Sequence, residues 1–331
     1  MTRISTESPI RKITQIYAKE GIFGVWERVW VRILWIYDLS KAIIITIVGS
    51  IKNTIIKITA RIWKTSVRQL IHKDPILIYQ MGKVGSMTLE ASIRQVYQDI
   101  DLDIPIHRSH TLMDFEKATE FIKSKMGNSS AMLEEVEKEK RLRKEIDDNP
   151  DKLWNVITMV RDPVTRNIAA FFQNIDYYLP EWKDLWESNS LPMQRLLDCF
   201  FDNEEVKSPF WFETRLEVVF GIDVYASPFS HELGYKIYRN PPRADLLLIR
   251  LEDLNQVASK AVYNFLRIPN FKLLNTNIGS EKPYADLYHA MLKTSLPEFY
   301  VKKMYSTKLA RHFYSEAELA LFVQKRIKKE I

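Results

Sequence analysis

One cysteine, Cys199, is all that 331 residues contain, and no cluster of cysteine and histidine has zinc-ligand spacing. An intramolecular disulfide is therefore excluded and no metal site is expected, which points to a reducing, cytoplasmic compartment. A secretory signal is not expected either, because Met1 to Glu20 is too polar to hold the apolar core of one. The best candidate for a membrane span, Ile33 to Ile51, is interrupted by Asp38 and Lys41. Its uncharged part is about half of the roughly 20 residues a span requires, so no transmembrane anchor is expected. With 46% hydrophobic and 27% charged residues, the composition is that of a folded globular protein and excludes wholesale disorder or a polytopic membrane protein. The length suits one large α/β domain with an appendage, or several smaller units.

What is present is unevenly placed. The net charge is +6, yet residues 1–73 hold 13 Lys/Arg against 4 Asp/Glu, a local +9 that leaves the remainder at −3. Four of the eight tryptophans, Trp26, Trp30, Trp35 and Trp63, lie in the same segment among isoleucine-rich stretches such as Ala42 to Ile47. The pattern predicts a basic, Trp/Ile-rich helical extension over 1–73. Its apolar side suits the surface of an anionic membrane, peripherally bound, with Arg28, Arg32, Lys41, Lys52 and Lys57 toward the other side. A basic helical layer packed on a domain or partner accounts for the same pattern. Nucleic acid is not an expected partner.

From Asp74-Pro75 onward the period changes, and 74–331 reads as one α/β domain. Ile76-Leu77-Ile78-Tyr79 is short, apolar and β-prone, and it leads through Met81 to Thr88 into a helical spacing of Leu89, Ile93 and Val96. Further strands are predicted at Ile104 to His107, Val156 to Val160 and Leu246 to Ile249. The charge-dense stretch 114–152 reads as a solvated helical insertion. Apolar strands alternating with helices argue for a parallel sheet covered on both faces, with ligands bound at the carboxyl ends of the strands.

The loop after the first strand, Gly82-Lys83-Val84-Gly85-Ser86-Met87-Thr88, combines close backbone approach, a cation, two hydroxyls and a helix N-terminus. That set suits a phosphate or sulfate. It is not the nucleoside-triphosphate loop G-x-x-x-x-G-K-[ST], because the lysine precedes the second glycine. A nucleotide-dependent kinase or glycosyltransferase would use the same kind of sheet without that motif, and a non-catalytic membrane-associated assembly protein is a further alternative.

Lys83-Val84-Gly85-Ser86-Met87-Thr88 resembles the 5′-phosphosulfate loop of the sulfotransferase superfamily. Arg161-Asp162-Pro163-Val164-Thr165-Arg166-Asn167-Ile168-Ala169 is similar to its 3′-phosphate segment, Arg-x-Pro-x-x-Arg-x-x-Ser, with Ala169 where the family has serine. Leu251-Glu252-Asp253-Leu254 looks like the family's closing turn. Trp211-Phe212-Glu213, Gly221 to Tyr225 and Arg311 to Ser315 resemble the bacterial capsular polysaccharide synthesis proteins related to carbohydrate sulfotransferases. The resemblance covers roughly Pro75 to Leu321.

The resemblance implies a P-loop-like sulfotransferase fold and sulfuryl transfer from 3′-phosphoadenosine 5′-phosphosulfate to a carbohydrate hydroxyl. It implies cofactor contacts from Lys83, Gly85, Ser86, Met87, Thr88 and Arg161, with Asn167, Ser280 or Lys282 making up for the missing serine hydroxyl. The acceptor hydroxyl needs a base, and histidine titrates in the right range. His110 is the first candidate, with His107 as a second catalytic or orienting residue. Trp211, Phe212, Tyr225, Tyr284 and Tyr288 are expected to wall an acceptor cleft, because aromatic faces stack on sugar rings.

Overall fold

Short apolar runs build the centre of a five-stranded sheet. In the computed structural model, which describes residues 9–125, 129–203, 208–274 and 282–327, every residue of β1 (Ile76–Tyr79), β3 (Trp154–Val160) and β5 (Ala244–Arg250) is buried. Strands covered on both faces carry apolar residues at successive positions, so these three read clearly in the sequence. The order is β2-β1-β3-β5-β4, with β2 (Ile106–Ser109) and β4 (Tyr235–Asn240) at the edges. β1 pairs in parallel with β2 and β3, and β3 with β5, whereas β4 runs antiparallel to β5.

The four strands expected from the sequence are parallel, and the structure adds an antiparallel edge strand that the sequence reading lacks. Tyr235–Asn240 buries only Tyr235 and Tyr238 fully, so it has no apolar run to announce it. β2 is also displaced from the segment Ile104 to His107. Ile76 N donates to Pro105 O, and the ladder sets Leu77 opposite His107 and Tyr79 opposite Ser109. His107 consequently lies inside the strand and His110 just beyond its end.

α2 (Ser86–Asp99) follows β1 and buries Leu89, Ile93 and Tyr97. α5 (Pro163–Gln173) follows β3; Asp162 caps it by accepting from Val164 N at 3.1 Å, and Pro163 supplies a first-turn residue that has no N–H to satisfy. Between β2 and β3 lie α3 (Phe115–Lys125) and α4 (Ser130–Asp148). The expectation of a solvated insertion is corrected for α4. Val136, Glu139, Leu142 and Ile146 recur at helical spacing and are buried, and Leu142 and Ile146 join the core under the sheet. A second core joins Ile168 and Phe172 of α5 to Leu196, Phe200, Leu287 and Tyr300 from the later helices.

The chain divides into two units, Met1–Ser66 and Val67–Ile331. The described part of the first is a single helix, belonging to α1 (Pro9–Leu70). Among the described residues no helix is long and apolar enough to cross a membrane.

Candidate functional site

The carboxyl ends of β1, β2 and β3 open onto one cavity of about 340 Å³. The segment between β1 and α2 forms its floor. Gly85 has φ of 80°, and a Cβ there would fall 2.5 Å from Leu251 Cδ1, so the position requires glycine. Lys83 also adopts a left-handed conformation, with φ of 72°. A residue with a side chain pays on the order of 1 kcal/mol or more for this, so its surroundings must hold it there. They do so through two arginines. Arg161 Nη1 donates to Lys83 O at 3.0 Å, and Arg166 Nε donates to Gly82 O at 3.1 Å. The start of α5 therefore fastens the backbone of the loop after β1, and charged donors of this kind contribute about 1.5 to 3 kcal/mol each.

Charge is concentrated at this cavity. Lys83, Arg108, Arg161 and Lys282 line it, and among the described residues no aspartate or glutamate does. Partial burial, followed by repulsion from Lys282, Arg161 and Arg166, lowers the Lys83 ammonium to a pKa of about 8. An anion placed among these groups would reverse that repulsion. Arg108 is partly balanced by Glu90, 3.5 Å away, which also accepts from Arg94 at 2.9 Å. Arg161 Nη2 donates to Tyr288 Oη at 3.1 Å, which fixes the plane of the guanidinium at the cavity wall.

His110 stands at the rim, one residue past β2. Its Nδ1 is 3.4 Å from Gln80 O. A carbonyl only accepts, so this contact selects the tautomer with the proton on Nδ1 and leaves the Nε2 lone pair open. The residue as a whole is exposed, yet the protein around the ring shields it. That desolvation, with Arg108, Lys83 and Arg166 nearby, outweighs the Gln80 contact and lowers the imidazole pKa. The turn bearing His110 is held by Glu139 of α4, whose Oε1 accepts from His110 N and from Ser109 Oγ, each at 3.1 Å. Burial raises the Glu139 carboxyl above the usual range, against those hydrogen bonds.

Of the predicted residues, the fold brings Lys83, Gly85, Ser86, Met87, His110, Arg161 and Lys282 to the cavity lining. Thr88, one turn into α2, is not among the lining residues, and Ser280 lies outside the described residues. Two placements are corrected. His107, inside β2, packs its ring 5.9 Å from that of Trp154 at the start of β3, and its Nε2 is buried without a hydrogen-bond partner among the described residues. Asn167 faces the second core, where its Nδ2 donates to Tyr300 Oη at 3.2 Å and its Oδ1 accepts from Arg166 Nη1 at 3.2 Å. Two helical steps from Ala169 turn a side chain by about 200°, which is why Ala169 lines the cavity and Asn167 does not.

The aromatic wall is realised by two of the five expected residues. Tyr284 and Tyr288 line the cavity, whereas Trp211 packs on Tyr79 at 4.9 Å, Phe212 on Phe313 at 5.3 Å and Tyr225 on His312 at 5.0 Å. Residues that sequence reasoning missed include Gln80, Arg108 and Gln173 in the lining and Glu139 behind it, while Arg166, the second arginine of the segment after β3, holds the loop backbone. Gln173 sits one turn beyond Ala169, so helical spacing could have found it. Glu139 reaches the site from 29 residues away and leaves no local signal. Among the described residues no group of three His, Cys, Asp or Glu side chains could hold a metal ion.

Comparison with known proteins bears on the second half of the chain. Residues 190–315 match the family described as putative capsular polysaccharide synthesis protein. That stretch is just over a third of the chain, and it includes Leu251, Lys282, Tyr284 and Tyr288 of the cavity lining but none of Lys83, His110 and Arg161, which lie before it. No curated protein and no solved structure matches the chain.

Proposed function

We infer that this cavity transfers a sulfuryl group from 3′-phosphoadenosine 5′-phosphosulfate to a hydroxyl of a carbohydrate, in the synthesis of a capsular or surface polysaccharide. The observation that carries the reading is the convergence of Lys83, Arg161 and His110 on a cavity lined, among the described residues, by four cations and no carboxylate. The family match to capsular polysaccharide synthesis supports the carbohydrate context. When bound, the donor supplies the transferable sulfuryl group and anions at both of its ends.

The residues fit such a ligand. Ser86 and Met87, at the start of α2, line the cavity beside Lys83, and the positive end of a helix dipole favours an anion there. Lys83 adds a compact charge where negative charge builds on a leaving oxygen. Arg161 has five N–H donors and commits two nitrogens to Lys83 O and Tyr288 Oη, so further donors stay available to a phosphate. Gln173 lines the same face of α5 as Ala169, and its carboxamide can supply the hydrogen bond that alanine lacks. His110 Nε2, unprotonated in the tautomer that Gln80 selects, accepts the proton of the acceptor hydroxyl as it attacks. Positioning and charge stabilisation supply the rest, as in phosphoryl transfer.

Calorimetry with 3′-phosphoadenosine 5′-phosphate, adenosine 5′-monophosphate and magnesium ATP tests this. A lost charged hydrogen bond costs about 1.5 to 3 kcal/mol, so the 3′-phosphate should tighten binding at least ~10-fold. Equal affinity with and without it sinks the reading, and a preference for magnesium ATP would favour a kinase.

A further inference from the structure

The helix of the first unit is unusual in how much apolar surface it leaves uncovered. Between Val29 and Trp63, twenty large apolar side chains are exposed, including Trp30 at 57% and Trp35 at 65%. Over the later part they form a stripe: Ile44, Val48, Ile51, Ile55, Ile58 and Ile62 recur at steps of four and three, which stacks them on one face of a helix. Lys57, Arg61 and Lys64 recur at the same steps on another face. Residues 27–66 contain seven Lys/Arg against Glu27 and Asp38, a net +5.

Monomeric proteins rarely leave so large an apolar surface in water. We propose that α1 binds in the plane of an anionic phospholipid surface, with the Ile44 to Ile62 stripe toward the acyl chains and the cations at the headgroups. Charge complementarity decides between this and pairing with a second copy. Two +5 helices brought side by side repel, whereas an anionic surface attracts every cation along the helix. The apolar surface also extends beyond a two-position seam, to Ile43 and Ile45 on its two flanks, and lipid can accommodate that breadth where a coiled-coil partner covers only a narrow stripe. A spanning arrangement is disfavoured by the absence, among the described residues, of a helix long and apolar enough to cross. The proposal does not depend on the chemistry of the cavity.

Flotation of the full chain with vesicles tests it, using phosphatidylcholine alone and phosphatidylcholine mixed with phosphatidylglycerol. The protein should float with the mixed vesicles at low salt, at least ~10-fold more than with phosphatidylcholine, and should be released as salt compresses the Debye length to about 3 Å near 1 M. The full chain carrying Lys57→Glu, Arg61→Glu and Lys64→Glu should lose ~10-fold or more of this binding. Unchanged near-ultraviolet circular dichroism would confirm that the variant is folded, and the salt dependence of the unaltered chain provides the same test without any variant. Failure to float with either vesicle overturns the proposal. So does equal, salt-insensitive binding to both, which would indicate insertion without headgroup recognition. Light scattering in the absence of lipid that shows a defined oligomer, dispersed by Ile51→Lys with Ile55→Lys, would instead assign the stripe to a second copy.

Discussion

The two units of this chain treat apolar and basic residues in opposite ways. In Val67–Ile331 the sheet and its helices remove apolar residues from water, and among the described residues only eleven large apolar side chains are exposed in this much longer unit. In Met1–Ser66 the count is twenty, on one helix. The cations differ as well. In the larger unit four of them converge on one cavity that has no acidic lining residue among the described residues, which suits a small anion; along α1 they are spread at helical spacing, which suits an extended anionic surface. A unit with its own core can specify a site by tertiary contacts, whereas a lone helix can only present a periodic face.

The largest effects should separate the two units. Replacing His110 by Gln should lower sulfuryl-transfer turnover by roughly 10² to 10⁴, with product affinity nearly unchanged. Neutral imidazole is the active form and its pKa is lowered, so the acidic limb of the rate profile should lie below the pH near 6.5 of a free imidazole and vanish in the variant. His107→Ala, which alters a ring packed on Trp154, should instead affect stability. If His107→Ala removes the limb and His110→Ala does not, the register argument for the base fails.

Next in size, Lys83→Ala should cost about 10² to 10³ in turnover while leaving vesicle binding as it was. A coupled loss of both would break the separation of the units. Near-normal turnover would remove Lys83 from the reaction.

A smaller effect concerns pH. The free Lys83 ammonium titrates at about 8, and a bound anion favours its charged form, so binding 3′-phosphoadenosine 5′-phosphate near that pH should take up a proton. Affinity should fall as pH rises above about 8. Calorimetric heats measured in buffers of different ionisation enthalpy would show the uptake. Heats that do not depend on the buffer, with affinity flat between about pH 7 and about pH 9, would contradict the cluster.

The smallest expected change is a gain. Ala169→Ser restores a hydroxyl to the cavity wall, and one added hydrogen bond to a charged ligand should tighten product binding by up to ~10-fold, or about 1.5 kcal/mol. No gain would mean that Gln173 already fills that place.

Several features were legible in the order of residues alone. β1, β3 and β5 announce themselves because strands covered on both faces can be apolar at every position. The loop from Gly82 to Ser86 and the cap at Asp162-Pro163 are local, so glycine, proline and the capping carboxylate mark them. The basic, apolar character of α1 is a matter of composition and period. Only the tertiary structure decided the rest. Edge strand β4 pairs through one side and buries few side chains, so its residues resemble a loop. The β2 ladder, set by contact with β1, moved His107 into the sheet and left His110 at the rim. Glu139 and Arg166 act on backbone groups 29 and 84 residues distant. No pattern along the chain encodes such pairings, because hydrogen bonds between remote segments depend on where the core brings them to rest.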